Sequence, residues 1–487
     1  MKDRKDKKTP NKLQIKSTKK EAYKPKDIKK DFKQNADKNI TSGKANTSSK
    51  ANNTGKDKES IKCPYFKKCG GCRYIDLSYE DQLKKKEQNV HRFLKDIAES
   101  QKIKIEKIVG SEHPYNYRNK VHSVFGRDNR NKIIRGIYSE DSHKVVDVKG
   151  CLLEDKKADE IIEEVKRLLP SFKYKVYDED TGFGWLRHVL VRCGRVNHGA
   201  QNTVNRRTVS VIDSQYILVL VTASVPFPGK NNFVKAIREK FPEITTIVQN
   251  INDKRTSMVL GERNIVCYGK GYIEDELLGL KFRISPNSFY QVNLYQTPKL
   301  YTKALEFAGF DCRKTSNSDH SYTDENIGIS DIQEQKNKTK TVIDAYCGTG
   351  TIGMCMAPYA NKVIGIELNA SAVKDAAYNA KNNGIKNIEF VKADATVWMK
   401  EYQGKLKEKS DDYILVMDPP RNGSTEEFIA SVSNSGIKDI VYISCNPETL
   451  ARDLRSFIKK KYVLKKIAPF DMFPWTDHVE TVCYLTK

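Results

Sequence analysis

Three features of this sequence predict an α/β chain that ends in a doubly wound parallel sheet. A short apolar run, Thr341–Ala345, reads as a buried strand, and it leads into Gly348, Gly350 and Gly353 at the G-x-G-x-x-G spacing of a strand-to-helix turn. After that turn, strand and helix patterns alternate towards the C-terminus. Ahead of it, from about Ile105 to Leu260, period-2 segments dominate, such as Lys120–Phe125 and Tyr216–Val221. They predict a mostly antiparallel, β-rich α+β domain before the doubly wound one.

Composition sets the frame for these elements. A chain of 487 residues allows two or three domains, and a net charge of +24 with 38% hydrophobic residues predicts an anionic partner. Residues 1–60 hold 19 Lys/Arg against 8 Asp/Glu with only scattered apolar side chains. Such a segment cannot offset its ordering entropy by burial, so 1–60 reads as a disordered basic tail. No apolar stretch is long enough for a signal peptide or a membrane span, which places the chain in the cytoplasm, away from membranes. Eleven cysteines there argue for metal binding or catalysis before disulfides.

Order is expected from about Ile61. Cys63, Cys69 and Cys72 lie within ten residues, with Gly70-Gly71 between the last two letting both sulfurs face one point. A fourth ligand is needed, and Cys151, after the strand Lys144–Val148, is the best candidate. Four thiolates suit zinc or an iron–sulfur cluster; the second C-x-x-C of a zinc ribbon is missing, which favours the cluster. Tyr79 to about Lys102 carries Leu83, Val90, Leu94 and Ile97 at helical spacing, with Lys84-Lys85-Lys86 expected on the solvated face.

Two stretches of the central domain, Tyr115–Lys120 and Thr181–Arg192, mix basic and aromatic groups and suit RNA backbone and bases; core packing is the alternative, above all for His188. Ser285–Asn293 opens the next domain and leads into a helix over Leu294–Phe307. Residues 311–340 are polar and low in complexity, a flexible insertion ahead of the glycine turn. The domains are therefore 1–60, 61–284 and 285–487.

Beyond the turn, strands are expected at 362–367, 387–392, 413–417 and 438–444, and helices at about 351–358, 370–383, 425–433 and 447–459. The strand ends carry Glu367, Asp394, Asp418 and Ser444-Cys445-Asn446-Pro447 in succession. Ligands in such sheets bind at those ends, and an acid like Glu367 can bond two ribose hydroxyls. Cys445 is the best nucleophile, because a helix N-terminus should lower its pKa; Cys347 is a rival but lies inside the turn, packed below a cofactor. Asp418 and Arg421 in Asp418-Pro419-Pro420-Arg421 offer polar contacts, and His478-Val479-Glu480 offers an acid/base pair.

Gln291 in Phe-Tyr-Gln-Val-Asn, Asp344-Ala-Tyr-Cys-Gly-Thr-Gly, Asp418-Pro-Pro-Arg, Ser444-Cys-Asn-Pro and His478-Val-Glu occur in that order. This series resembles the RNA uracil-5 methyltransferases from about Cys63 to the C-terminus. The resemblance implies a Rossmann-like methyltransferase domain over 285–487, an RNA-binding domain over 61–284, and methyl transfer from S-adenosylmethionine to carbon 5 of a uridine. It makes Cys445 the nucleophile and Glu480 the general base, with Gln291, Tyr346, Thr351, Glu367, Asp394 and Asp418 holding the cofactor. Cys63, Cys69, Cys72 and Cys151 look like the 4Fe–4S ligands of rRNA-directed members, so 23S rRNA is the expected partner of a monomeric enzyme. Residues 1–60 do not resemble the TRAM barrel with which many members begin.

Alternative readings are a tRNA-directed enzyme, an amino-directed RNA methyltransferase, an NAD-dependent dehydrogenase, and a noncatalytic RNA-binding factor. The last three leave Cys445 or the four thiols without a shared purpose.

Overall fold

The computed structural model describes residues 62–139, 142–204, 207–255, 258–310 and 339–487. The expected basic tail and all but the end of the polar insertion lie outside the described residues. Helix α1 (Tyr79–Ser100) starts at Ser78, whose hydroxyl accepts the Asp81 N–H. A mixed sheet follows, built from β1 (Lys120–Arg127), β2 (Ile133–Tyr138), β3 (Val145–Asp147), β4 (Leu186–Val204), β5 (Arg207–Thr222), β6 (Ile244–Ile251) and β7 (Arg263–Tyr268). Its order is β3-β2-β1-β4-β5-β6-β7, antiparallel except where β5 and β6 pair in parallel. Helices α2 (Lys156–Leu168) and α3 (Lys230–Lys240), which period 2 alone did not predict, cover one face through Ile161, Val165, Phe233 and Ile237. The β8 (Ile273–Leu277) and β9 (Leu280–Ile284) hairpin and α4 (Gln296–Phe307) then lead into the second sheet.

That sheet runs through β10 (Thr341–Ala345), α5 (Thr351–Met356), β11 (Lys362–Glu367), α6 (Ala370–Asn382), β12 (Ile388–Lys392), α7 (Ala395–Lys407), β13 (Tyr413–Met417), α8 (Glu426–Ser435), β14 (Asp439–Ser444) and α9 (Pro447–Lys459). It closes with β15 (Val463–Phe470) and β16 (Glu480–Thr486). The order is β12-β11-β10-β13-β14-β16-β15. The first five strands are parallel, and β16 enters antiparallel beside β14. Four of the five helix starts have a side-chain cause: Asn369, Asp394, Thr425 and Asn446 cap α6, α7, α8 and α9 with side-chain oxygens, and Pro447 occupies the first turn of α9. The order reverses between β10 and β13, and a crevice is expected where their carboxyl ends diverge.

The position of α1 departs from the simple order of domains. Val90, Leu94 and Ile97 join one apolar cluster with Ile343 of β10, Leu450 and Leu454 of α9, and Tyr462. Lys84 and Lys85 are exposed as expected, but Lys86 is fully buried, because it falls on the same helical stripe as Val90 and Leu94. Among the described residues, no helix is long and apolar enough to cross a membrane.

Candidate active site

The glycine turn is built as its spacing demands. Gly348 and Gly350 hold φ of 56° and 77°, where side chains with a Cβ are strained. A Cβ on Gly350 would stand 2.6 Å from the Phe390 ring, whereas one on Gly348 would meet nothing within 4 Å. The turn therefore presents open backbone on the Gly348 side. Asp344 lies buried beneath it and accepts the Gly353 N–H at 2.9 Å. Burial pushes the Asp344 carboxyl up to about 8, with Asp418 and Glu367 adding to the rise.

Glu367 closes the far side. Its two oxygens accept the N–H groups of Gly348 at 3.0 Å and Asn369 at 2.7 Å, which aims the carboxylate across the turn while leaving lone pairs free. Asp394 accepts from Thr396 and Val397 through one oxygen. Tyr346, held at φ of 65°, packs its ring 5.5 Å from Phe428. Cys347 is buried, its sulfur facing Gly365, so it packs inside the turn as expected.

The segment that opens with Ser285 lies along the same turn. The Thr349 hydroxyl donates to the Phe289 carbonyl at 3.3 Å, and the Phe289 ring stays exposed. Gln291 is buried, and its carbonyl accepts from Asn119 at 3.2 Å. Thr351 turns its hydroxyl inward to Tyr301, 3.1 Å away, so its side chain is engaged by α4.

At the carboxyl ends of β13 and β14 stand Asp418, Arg421 and Cys445, and β16 begins with Glu480. The last registered pair of β14 and β16 is Ser444–Thr481, so Cys445 and Glu480 occupy the next opposed positions. Burial pushes the Cys445 thiol up to about 11, with Glu480 and then Asp418 reinforcing the shift and Arg421 opposing it. This corrects the expectation of a thiol lowered by the helix N-terminus: two neighbouring carboxyls and desolvation outweigh one guanidinium and the helix end. Glu480 is itself raised well above the usual carboxylate range by burial and by Asp418, while burial lifts Asp418 to about 7. Arg421 also meets His478, its Nη2 lying 3.2 Å from the imidazole Nε2, a contact that residue spacing alone did not reveal.

Cys63, Cys72 and Cys151 are partly buried and pack with the cluster of Tyr117 and Trp475, and Cys69 acts electrostatically on Cys72 and with Cys63 and Arg118. Burial first of all lifts Cys72 and Cys151 to about 12. Among the described residues, no three His, Cys, Asp or Glu side chains stand at the spacing of a formed metal centre.

The basic–aromatic stretches turn largely inward. Tyr117 donates to the Pro474 carbonyl, Arg187 is buried against Glu179 and the carbonyls of Asn252 and Lys254, and Arg192 donates to the Ser288 carbonyl. His188 is buried beside His122, with ring centroids 5.0 Å apart. Phe183 remains exposed. Core packing accounts for most of these side chains.

A profile described as tRNA (Uracil-5-)-methyltransferase matches residues 327–487. An uncharacterized RNA methyltransferase of Oceanobacillus iheyensis is 37% identical over 420 residues, covering 86% of this chain and 81% of that protein. A Staphylococcus aureus protein of the same description is 37% identical over 422 residues, covering 86% of this chain and 83% of its own. The crystal structure of Pyrococcus abyssi tRNA (uracil-54, C5)-methyltransferase, in complex with S-adenosyl-L-homocysteine, superposes with a TM-score of 0.62 at 25% identity over 86% of each chain. Fold, glycine turn and relatives together define an S-adenosylmethionine-dependent RNA methyltransferase. The chain belongs to the RNA uracil-5 methyltransferase family.

Proposed function

We propose that this enzyme methylates carbon 5 of a specific uridine in 23S rRNA through a transient bond between Cys445 and the pyrimidine. The observation that carries the reading is the meeting of Cys445, Glu480, Asp418 and Arg421 where β13 and β14 end and β16 begins. Carbon 5 of uracil is a poor nucleophile. Addition of the Cys445 thiolate to carbon 6 converts the ring to an enolate, dividing one hard step into easier ones. S-adenosylmethionine supplies an electrophilic methyl group. Carbon 5 attacks that methyl as its bond to sulfur breaks, leaving S-adenosylhomocysteine. Glu480 then takes the proton from carbon 5, and the released electron pair restores the 5,6 double bond and expels the Cys445 thiolate.

The raised positions of Cys445 and Glu480 fit this division of labour. Two acids kept protonated by burial and by neighbouring carboxyls ionise more readily when positive charge joins Arg421. Gln291, Tyr346, Glu367, Asp394 and Asp418 would hold the cofactor around the open face of Gly348, and Thr351 would contribute from the first turn of α5. The target base must leave its stack, at a cost of roughly a few kcal/mol that RNA contacts of the 61–284 domain offset.

Cys63, Cys69, Cys72 and Cys151 would hold a 4Fe–4S cluster that braces that domain. Four thiols from two segments suit it, and burial that keeps them protonated is reversed when a metal takes the protons' place. The same reading makes the protein a cytoplasmic monomer. A second target, tRNA, is favoured by the likeness to the Pyrococcus abyssi enzyme, named for uridine 54 of tRNA.

The test is to map 5-methyluridine in 23S rRNA and tRNA from cells with and without this protein, then to offer the target RNA carrying 5-fluorouridine. The fluorinated site should trap a protein–RNA adduct through Cys445. Methylation of normal RNA with no adduct on the fluorinated copy would remove the covalent mechanism.

A further inference from the structure

We propose that Lys86 is a positioning residue for the reaction, holding the loop that delivers Glu480. The proposal rests on the reading of Glu480 as the base.

The buried stripe of α1 changes character along its length. Val90, Leu94 and Ile97 are apolar and enter the core, whereas Lys86 and Gln82, one and two turns before Val90, are polar and equally buried. Lys86 directs all three of its donors at one target. It donates to Asp471 Oδ1 at 2.5 Å, to the Phe473 carbonyl at 2.9 Å and to the His478 carbonyl at 2.9 Å. Asp471 is completed from the same helix, its Oδ2 accepting from Tyr79 at 2.8 Å and from Gln82 at 2.7 Å. Gln82 in turn accepts the Trp475 N–H.

The ammonium therefore staples together the two ends of the loop between β15 and β16. One end leaves β15 next to Phe470, which pairs across the sheet with Glu480; the other runs through His478 directly into Glu480. His478 is thus fixed at both of its polar ends, by Lys86 at the carbonyl and by Arg421 at the ring. Lys86 contacts neither crevice nor turn, so its effect must pass through this backbone.

Stability is a poor reason for the arrangement. A fully buried ion pair costs desolvation on both sides, and an apolar pair of similar volume often serves folding as well or better. Saturating an ammonium with one carboxylate and two loop carbonyls instead specifies a single loop geometry, and a base misplaced by about 1 Å can lose roughly a hundredfold in rate.

The test uses the full-length enzyme, total RNA from a strain lacking it, and S-adenosylmethionine labelled in the methyl group. Lys86→Met alone leaves Asp471 buried without a countercharge and can fail to fold, so the informative variant is Lys86→Met/Asp471→Asn. It frees the Phe473 and His478 carbonyls while an amide remains to bond Tyr79 and Gln82. We expect a folded protein with unchanged cofactor affinity and unchanged KM for RNA, and a kcat lower by roughly a hundredfold. Methyl-labelled protein should survive denaturation and nuclease treatment, because methylation proceeds but proton removal stalls. Glu480→Gln is the reference. Adduct in Glu480→Gln but none in the double variant overturns the role of Lys86 alone; adduct in neither overturns the reading of Glu480 as well. A double variant that does not fold, turns over like the wild type, or loses rate through KM also overturns it.

Discussion

Cys445 and Glu480 stand opposite each other one step past the Ser444–Thr481 pair, where parallel β14 ends and antiparallel β16 begins. A fully parallel sheet would carry the neighbouring strand's start to the opposite edge, far from Cys445. The single antiparallel strand brings a residue from its amino end to the carboxyl edge, where ligands bind in such sheets. Placing thiol and carboxyl side by side has an electrostatic consequence. In the protein without cofactor, alkylation of Cys445 by iodoacetamide should rise with pH towards a midpoint of about 11. Glu480→Gln removes a negative neighbour and should lower that midpoint by roughly one to three pH units, and Arg421→Met should raise it. Mass spectrometry of the Cys445 peptide across pH checks both signs.

Asp344 ties the glycine turn to pH. Its carboxyl is held near 8 in the fold against an ordinary value of 3.8, so the folded state binds its proton more tightly than the unfolded chain does. The stability it contributes is fully present below about pH 4 and is lost as pH rises through about 8. Asp344→Asn cannot ionise, so the thermal midpoint of the variant should fall less than that of the wild type between those limits. Parallel slopes for the two proteins would mean that Asp344 is ionised in the folded state.

Two glycines of the same turn separate stability from binding. Gly350→Ala forces a side chain to φ of 77° and drives its Cβ into the Phe390 ring, so it should lose more than the roughly 1–2 kcal/mol of the left-handed conformation alone. Gly348→Ala meets open space and should lose only that backbone cost. Its methyl would project where the cofactor is proposed to approach, weakening S-adenosylmethionine binding by roughly tenfold, about 1.4 kcal/mol. Denaturant melts and calorimetric titration of the two variants check the contrast.

What the sequence disclosed and what it hid follow from the range of the forces involved. Strands β11 and β13 and helix α9 were legible to the residue, because apolar periodicity, the Asn446 cap and Pro447 are local signals. The placing of Asp418 and Cys445 at the carboxyl ends of β13 and β14 was legible because each follows its strand directly, beside its own motif. The state of Cys445 was not, since it depends on Glu480 and Asp418, which are distant in sequence and arrive only with the fold. Lys86 was misread for a related reason. Its charge argued for solvent, while its spacing from Val90 and Leu94 argued for burial, and only the presence of Asp471, 385 positions away, decides for spacing. The inward turn of Arg187 and Arg192 has the same origin in distant backbone carbonyls.

The four thiols allow a last prediction, because the alternatives differ in stoichiometry. Protein purified without air should contain iron and inorganic sulfide in equal amounts if the ligands hold a 4Fe–4S cluster, and about one zinc without sulfide if they hold zinc. Cys72→Ser should lose the metal in either case. Its effect should extend beyond the pocket, because the next two residues, Arg73 and Tyr74, donate their N–H groups to the Trp475 carbonyl at 2.9 and 3.0 Å. Trp475 is buried, held at φ of 70°, and its indole donates to the Pro114 carbonyl at 2.9 Å. A strained residue keeps such a conformation only while its surroundings enforce it. Loss of the metal should therefore free the Trp475 backbone and expose its ring, shifting its fluorescence to the red and slowing turnover, since the same loop continues to Glu480. A metal-free Cys72→Ser protein with unchanged emission and unchanged kcat would confine the thiols to a role apart from this loop.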